Sequence, residues 1–492
     1  MPDLRLAALA AHRFGFGPRP GELRTIAVDP RGWVKGQLAR QPTPPPQIAS
    51  LPPAEDDLLA FGRWLVRRRL RGGNAERVRN RAERQGVTQE ELQRLSIEDD
   101  FVENFRERVS RAVGARLEAA MTSELPVHER LVHFWSNHFT VSTAKPAAVA
   151  LPPSFEKDAI RPHVGGRFAD MLLASTKHAG MIVYLDNWLS IGPNSQAAQN
   201  PRRARRLPGG GRPTGINENL AREILELHTL GVNGGYTQRD VQALASIITG
   251  WTYQRPRLRD LVSDSVANRS GPQLFEFDAA AHEPGPKTLL GRTYPQSGLA
   301  QGEAALADLA RHPSTARFLA TKLCRHYIAD NPPDTAVTRV ERAFRESDGD
   351  LRSTMEALVD TPEAWATPLA KFKRPEEYAI SLLRAANLST LPPGAGVASL
   401  SAMGQRTYAA PGPDGWSDMA DAWLTADLVW KRLEFAQTYS ARIARADIDP
   451  LNVAEACLGP LLGAQARSAV QRAESPAQGL ALLFGAPEMQ RR

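Results

Sequence analysis

Apolar residues recur at helical spacing along most of this 492-residue chain, and that period constrains its fold more than any other feature. Amphipathic runs predict helices at 54–71, 87–95 and 99–123. Pro126 is suited to open a further helix that carries HERLVHFWSNHF at 128–139, because the first helical position needs no N–H. Helical character continues over 155–187. It resumes at 300–310, 313–328, 334–346, 350–360, 375–387, 417–442 and 475–485. Strand-like runs are confined to 273–295, where QLFEFD and KTLLGRTY flank the turn-rich AAAHEPGP and predict a β-hairpin. No repeat of fixed period appears. The expectation is a mainly α protein: one large α-helical domain over 1–492 with a single small β-hairpin insertion.

Two segments interrupt this pattern. Residues 74–96 are dense in charge and read as a solvated helical hairpin. Residues 191–216 are rich in Arg, Gly and Pro and read as a flexible loop, with five arginines at 202–212 that suit an anionic ligand.

Composition sets the outer limits. Hydrophobic residues make up 42% of the chain and charged residues 23%, enough for a sizeable core and unlike a disordered polymer. The formal net charge of +7 favours anionic partners such as polysaccharide, yet the arginines are not gathered into one stripe and no nucleic-acid module is present. No stretch approaches the roughly 18 apolar residues of a transmembrane helix. The N-terminus MPDLRLAALAAHRFGFGPRP lacks a basic leader region, so the chain as given is expected in the cytoplasm; removal of a leader would make it an exported protein. Cys324 and Cys457 have no metal or disulfide spacing and sit in apolar contexts as buried free thiols.

The densest concentration of chemistry is NENLAREILELHTLGVNGGYTQRD at 217–240. At about 100° per residue, Asn219, Arg222, Glu223 and Glu226 share one helical face, while Leu220, Ile224 and Leu227 form its flank. Asn217 suits the N-cap. Arg222 and Glu226 stand four apart, so a solvated ion-paired face is the plain reading. The apolar arc exceeds half the circumference, however, so the polar strip faces either a narrow solvent edge or a cleft. In a cleft, Glu223 and Glu226 could form an acid/base pair with Glu218 or Glu283 as a substitute second member, or supply oxygen ligands to a metal.

Histidines offer two further candidates. In HFWSNHF, His133 and Asn137 share a face, while His138 lies about 140° from His133, so the two do not form a paired-histidine zinc helix. In HEPGPK, His282 and Glu283 precede Lys287 within a turn, where a histidine–carboxylate pair can act as an oriented base or as metal ligands. The loop GQRTYAAPGPDGWSD at 404–418 presents Tyr408 and Trp416, either as a sugar-stacking platform or as core plugs. The nucleotide-binding, serine-hydrolase and CxxC motifs are all absent.

Taken in order, these motifs resemble one bacterial family, the domain of unknown function 1800 family. The resemblance rests on HRFGFGP at 12–18, FWSNHF at 134–139, LLASTKHAGMIVYLDN at 172–187 and NENLAREILELHTLGVNGGYTQRDV at 217–241. It continues through TGW at 249–251, FEFDAAAHEPGPKTLLG at 275–291, HPSTARFLATKL at 312–323, FKRPEEY at 372–378 and the 404–416 loop. It implies no established activity. It does mark the polar motif positions, with His282-Glu283 standing where the family usually has His-Asp.

Three functions are compatible with these residues. The leading one is a hydrolase acting on a carbohydrate polymer, an anionic one if the arginine loop holds it. It has Glu223, Glu226, His138 and His282 as catalytic candidates and Asn137, Asn219, Arg222, Lys287 and Trp416 as substrate-binding candidates. The second is an enzyme dependent on a divalent metal, with His138, His282 and Glu223 as candidate ligands. The third is a non-catalytic binding or assembly protein in which the same residues form a structural network.

Overall fold

The computed structural model describes residues 2–40, 43–72, 74–97, 101–145, 147–200, 215–263, 274–295, 297–366, 368–392, 394–445 and 447–492. The five arginines at 202–212 lie outside the described residues. The chain is 62% helical, and among the described residues the strands form two small antiparallel pairs, so the mainly α class holds. Among the described residues, no helix is long and apolar enough to cross a membrane.

Several elements match the sequence pattern closely. The helices Ala54–Arg71 and Asp334–Glu346 match their predicted spans, and Pro126 occupies the first turn of Pro126–His138. The charged segment forms two helices, Ala75–Arg84 and Gln89–Ile97. The helical pattern over 155–187 is broken instead. A π-helical turn Glu156–Ile160 leads to the helices Phe168–Lys177 and Ala179–Tyr184. The break falls at His178, whose backbone is extended and whose Nδ1 accepts the Gly180 N–H at 3.0 Å. One histidine thus ends one helix and caps the next.

The expected hairpin over 273–295 is divided between two sheets. Phe275–Phe277 pairs back onto Trp251–Tyr253, while Lys287–Leu289 folds directly onto Arg292–Tyr294. Leu290 and Gly291 join the second pair with φ of 49° and 77°. Two successive positive φ values are the mark of the turn that best matches strand twist, and this turn sits inside KTLLGRTY rather than between the two runs.

Two hydrophobic cores share the N-terminal motif. Phe14 belongs to the larger core, built on Leu4–Phe14, Pro126–His138, Phe168–Lys177 and the helices up to residue 366. Phe16 belongs to the second, with Val113–Met121 and the segments from Tyr378 to Met489. Burying each phenyl ring contributes on the order of 1.5–3 kcal/mol, so HRFGFGP ties the two layers together. Cys324 and Cys457 are buried and free, as expected.

Buried ion networks lie along the Pro375–Ala385 helix. Glu376 pairs with Arg116 at 2.6 Å, and Arg116 also pairs with Glu156 at 2.8 Å. Glu377 meets Arg130 at 3.0 Å, Arg374 at 3.1 Å and Arg492 at 3.0 Å. Burial opposes the Glu377 charge, but Arg130, Arg492 and Arg374 outweigh it and hold the carboxyl well below its ordinary range.

Candidate active site

Asn217 prepares the carboxylate-bearing helix. Its Oδ1 accepts the Asn219 N–H at 2.9 Å, while its Nδ2 donates to the Asp186 carbonyl at 3.2 Å. The helix proper runs Asn219–Glu223 and then widens into a π-helical turn, Ile224–His228. Thr229 Oγ1 donates to the Ile224 carbonyl at 2.6 Å, helping to satisfy this altered turn. Leu220, Ala221, Ile224 and Leu225 are fully buried, so Glu223 and Glu226 are left half-buried on the remaining face.

The expected Arg222–Glu226 pair does not form. Arg222 instead donates to Glu218 at 3.0 Å and to Gln238 Oε1 at 2.9 Å, and Gln238 donates to Glu218 at 2.7 Å. Glu226 accepts the Tyr236 hydroxyl at 3.2 Å. Burial pushes the Glu223 carboxyl up to about 7, and the charges of Glu226 and Asp414 add to the rise while Arg222 opposes it. Burial, reinforced by Glu223 and Asp414, pushes Tyr184 up to about 12. Glu226, Asp414 and Tyr184 thus lie within electrostatic reach of Glu223, and Tyr236 joins them through Glu226.

Asp414 reaches this patch because its loop is clamped. Asn137 Nδ2 donates to the Trp416 carbonyl at 2.9 Å, and the Trp416 N–H donates to Asn137 Oδ1 at 2.8 Å. Gly415 adopts φ +79°, and a Cβ there would lie 2.5 Å from the Asn137 carbonyl oxygen. The end of the Pro126–His138 helix and a glycine bend thus hold the 410–418 segment in close contact.

His138 turns away from Asn137, as its helical offset requires. Its Nε2 lies 3.1 Å from the His228 carbonyl, and its Nδ1 lies 3.1 Å from Lys322 Nζ. Burial holds the ring neutral, with Lys322 and His228 acting in the same direction. These partners define the tautomer: Nε2–H donates to the carbonyl, and Nδ1 accepts from the lysine. Burial lowers Lys322 to about 8; Asp418 and Asp414 oppose that shift, and Arg325 adds to it. His138 therefore holds Lys322 beside the acidic loop.

The remaining candidates fall elsewhere. His282 Nδ1 lies 3.0 Å from the Thr249 carbonyl, and Glu283 accepts from Asn194 at 2.6 Å. Lys287 donates to the Glu283 carbonyl within its own turn. Among the described residues, His282 and Lys287 form no hydrogen bond or ion pair with Glu223, Glu226 or His138. Asn219 is exposed beside the cap. Trp416 is half-buried against Trp423, with ring centroids 5.8 Å apart, rather than standing out as a platform.

The expected metal-ligand set is not assembled either. Both ring nitrogens of His138 are engaged, and His282 lies in a different neighbourhood. Among the described residues, His326, Glu377 and Asp418 can bring ligand atoms within 4.8 Å of one another. Glu377 is already surrounded by three arginines, whose charges oppose a cation there. That cluster fits an ion-pair network, and its donors do not suit a metal.

Sequence reasoning missed Asp414, Tyr184, Tyr236 and Lys322. The first lies in a loop whose sequence stands out for its aromatic residues, and local periodicity carries no signal for its electrostatic influence on Glu223, some 190 positions away. A family model described as a protein of unknown function, DUF1800, matches residues 9–491. Neither a curated protein nor a solved structure matches the chain.

Proposed function

Because the chain belongs to the DUF1800 family, whose function is unknown, we propose an activity from the site itself: a hydrolase acting on a carbohydrate polymer through carboxylate acid–base chemistry. The observation that carries this reading is Glu223, half-buried and pushed up to about 7 beside Glu226 and Asp414. Cleaving a glycosidic bond requires a carboxyl that still carries its proton near neutral pH and a second carboxylate close by.

Glu223 gives its proton to the glycosidic oxygen as the C–O bond breaks. A water adds to the sugar carbon, and its proton passes to Glu226 or Asp414. Glu226 stands three residues from Glu223 on the same helix, whereas Asp414 comes from the separate 410–418 loop. Glu218 is occupied by Arg222 and Gln238, and Glu283 by Asn194, so neither serves as the second member. His138 acts by positioning Lys322.

The test is a screen of neutral and anionic polysaccharides with the purified chain, followed by Glu223→Gln on each responsive substrate. A loss of roughly 100-fold or more is expected for a general acid. Unchanged hydrolysis in the variant would sink the assignment. About one equivalent of bound metal, with activity abolished by its removal, would replace it with metal chemistry.

A further inference from the structure

The Pro126–His138 helix has a second polar face, directed away from Lys322. His133 and Asn137, one turn apart, line a cavity of about 40 Å³ together with Arg116, Glu376, Tyr408 and Trp416. One water centre needs only about 10–15 Å³ on this measure, so the space admits a substituent of several heavy atoms. Asn137, Glu376, Tyr408 and Trp416 come from FWSNHF, FKRPEEY and the 404–416 loop, three motifs that the acid–base reading does not fully use; His133 immediately precedes the first, and Arg116 lies on the Phe101–Thr122 helix.

The charges in the wall are already matched. Arg116 is shared between Glu156 and Glu376, Glu376 also accepts from Thr407 Oγ1 at 3.2 Å, and Arg374, the second arginine of the lining, is paired with Glu377 at 3.1 Å. The unmatched groups are neutral. His133 is 2% exposed, and neither ring nitrogen has a hydrogen-bond partner. Its closest carboxylate oxygen, on Glu376, stands 3.6 Å away, too far for a hydrogen bond. Burial, with Arg116 and Arg161 adding to it, keeps the imidazole neutral, leaving one N–H donor and one acceptor. The Trp416 indole N–H is also buried without a partner. Buried groups of this kind are ordinarily paired, so the cavity suits an occupant that both accepts and donates.

We propose that this cavity is a subsite for a neutral, hydroxyl-bearing group of the kind a sugar ring presents, held by His133 and the Trp416 indole N–H. A hydroxyl accepts from either N–H and donates to the free histidine nitrogen. A carboxylate or phosphate would have to compete with Glu376 and Glu377 for Arg116 and Arg374, which those carboxylates already hold. The carbohydrate identity of the ligand rests on the hydrolase reading; the existence of the site does not. The two are joined through one loop, which sends Asp414 towards Glu223 and Trp416 into the cavity wall.

The experiment is ligand-observed NMR on the full chain with glucose, xylose and N-acetylglucosamine, using glucuronate and inorganic phosphate as charged comparators. At least one neutral sugar is expected to bind at millimolar concentration. Trp416→Phe keeps an aromatic ring, removes the N–H and should weaken that sugar about tenfold. Ala410→Val narrows the cavity without removing a donor and should weaken it as well; it remains informative if the tryptophan variant fails to fold. Glu223→Gln should bind as the parent does, even where hydrolysis is lost, which separates failure of this subsite from failure of the catalytic assignment. The proposal is overturned if no neutral sugar binds, if the anions bind more tightly, or if both cavity variants bind unchanged.

Discussion

Replacing Glu223 with Gln should stabilise the protein while removing its activity. The carboxyl rises from 4.5, the value of an ordinary glutamate, to about 7 because burial, Glu226 and Asp414 disfavour its charge. At about 1.36 kcal/mol per tenfold change in proton affinity, that rise would correspond to roughly 3.4 kcal/mol. Glu223 is only half-buried, and solvent screening reduces the figure to about 1–2 kcal/mol. The sign comes from proton linkage. The folded state holds this proton more tightly than the unfolded state, so the penalty is absent below about 4.5, grows up to about 7 and is complete above it. Glutamine carries no such charge. Its advantage should therefore be full at pH 8 and about a quarter of that at pH 5. For a chain of 492 residues, 1–2 kcal/mol corresponds to a rise of about 1–2 °C in Tm. Scanning calorimetry of parent and variant at both pH values measures it. A variant that is less stable at pH 8 would show that the Glu223 charge makes favourable contacts, and Glu223 would then lose its claim to be the general acid.

Other outcomes rest on the same geometry. On any responsive glycan, kcat/KM should fall as pH rises through about 7, because Glu223 loses its proton there; a flat profile from pH 5 to 9 would exclude it as the acid. Asn137→Ala removes both hydrogen bonds to the Trp416 backbone and should cost about 1–3 kcal/mol in urea titration, with faster proteolysis inside 410–418. Equal cleavage rates would show that the loop is held by other contacts. Glu377→Gln leaves Arg130, Arg374 and Arg492 without their shared carboxylate and should destabilise the fold by about 3–5 kcal/mol. A loss under 1 kcal/mol would mean that the arginines find other partners.

Helices were legible wherever the apolar period was unbroken and a local signal marked the start, as with Pro126. The offset between His133 and His138 was legible too, and the two do face different surroundings. Two features escaped for physical reasons. A π-helical turn changes the angular step within 224–228, so a uniform 100° wheel misplaces the side chains beyond Ile224. Strand pairing is non-local: nothing in QLFEFD specifies Trp251–Tyr253 as its partner. Arg222 illustrates the same limit, since Glu226 and Glu218 both stand four residues away and tertiary placement of Gln238 favoured Glu218. The carboxylates of the patch could be named from sequence as far as Glu223 and Glu226, but Asp414 joins them only through the loop clamp, which is a tertiary contact.

The treatment of negative charge differs between two parts of this molecule, and the difference favours the proposed enzyme over an assembly scaffold. Glu129, Glu156, Glu376 and Glu377 are buried, and each has an arginine within 3.0 Å. That is how a fold keeps carboxylates for structure. Glu223, Glu226 and Asp414 are arranged differently: among the described residues none has a salt-bridge partner, although Arg222 stands on the same helix and is drawn to Glu218. Their mutual repulsion raises Glu223 further, and the loop carrying Asp414 is held in place by a two-bond clamp and a left-handed glycine. Asp414 is exposed and Glu223 and Glu226 are half-buried, so water compensates Asp414, and the charge disfavoured by the fold is that of Glu223. A general acid needs that environment, because only a disfavoured charge keeps a glutamate protonated at neutral pH. The pattern of compensation elsewhere in the molecule sets this patch apart and supports the proposed acid–base reading.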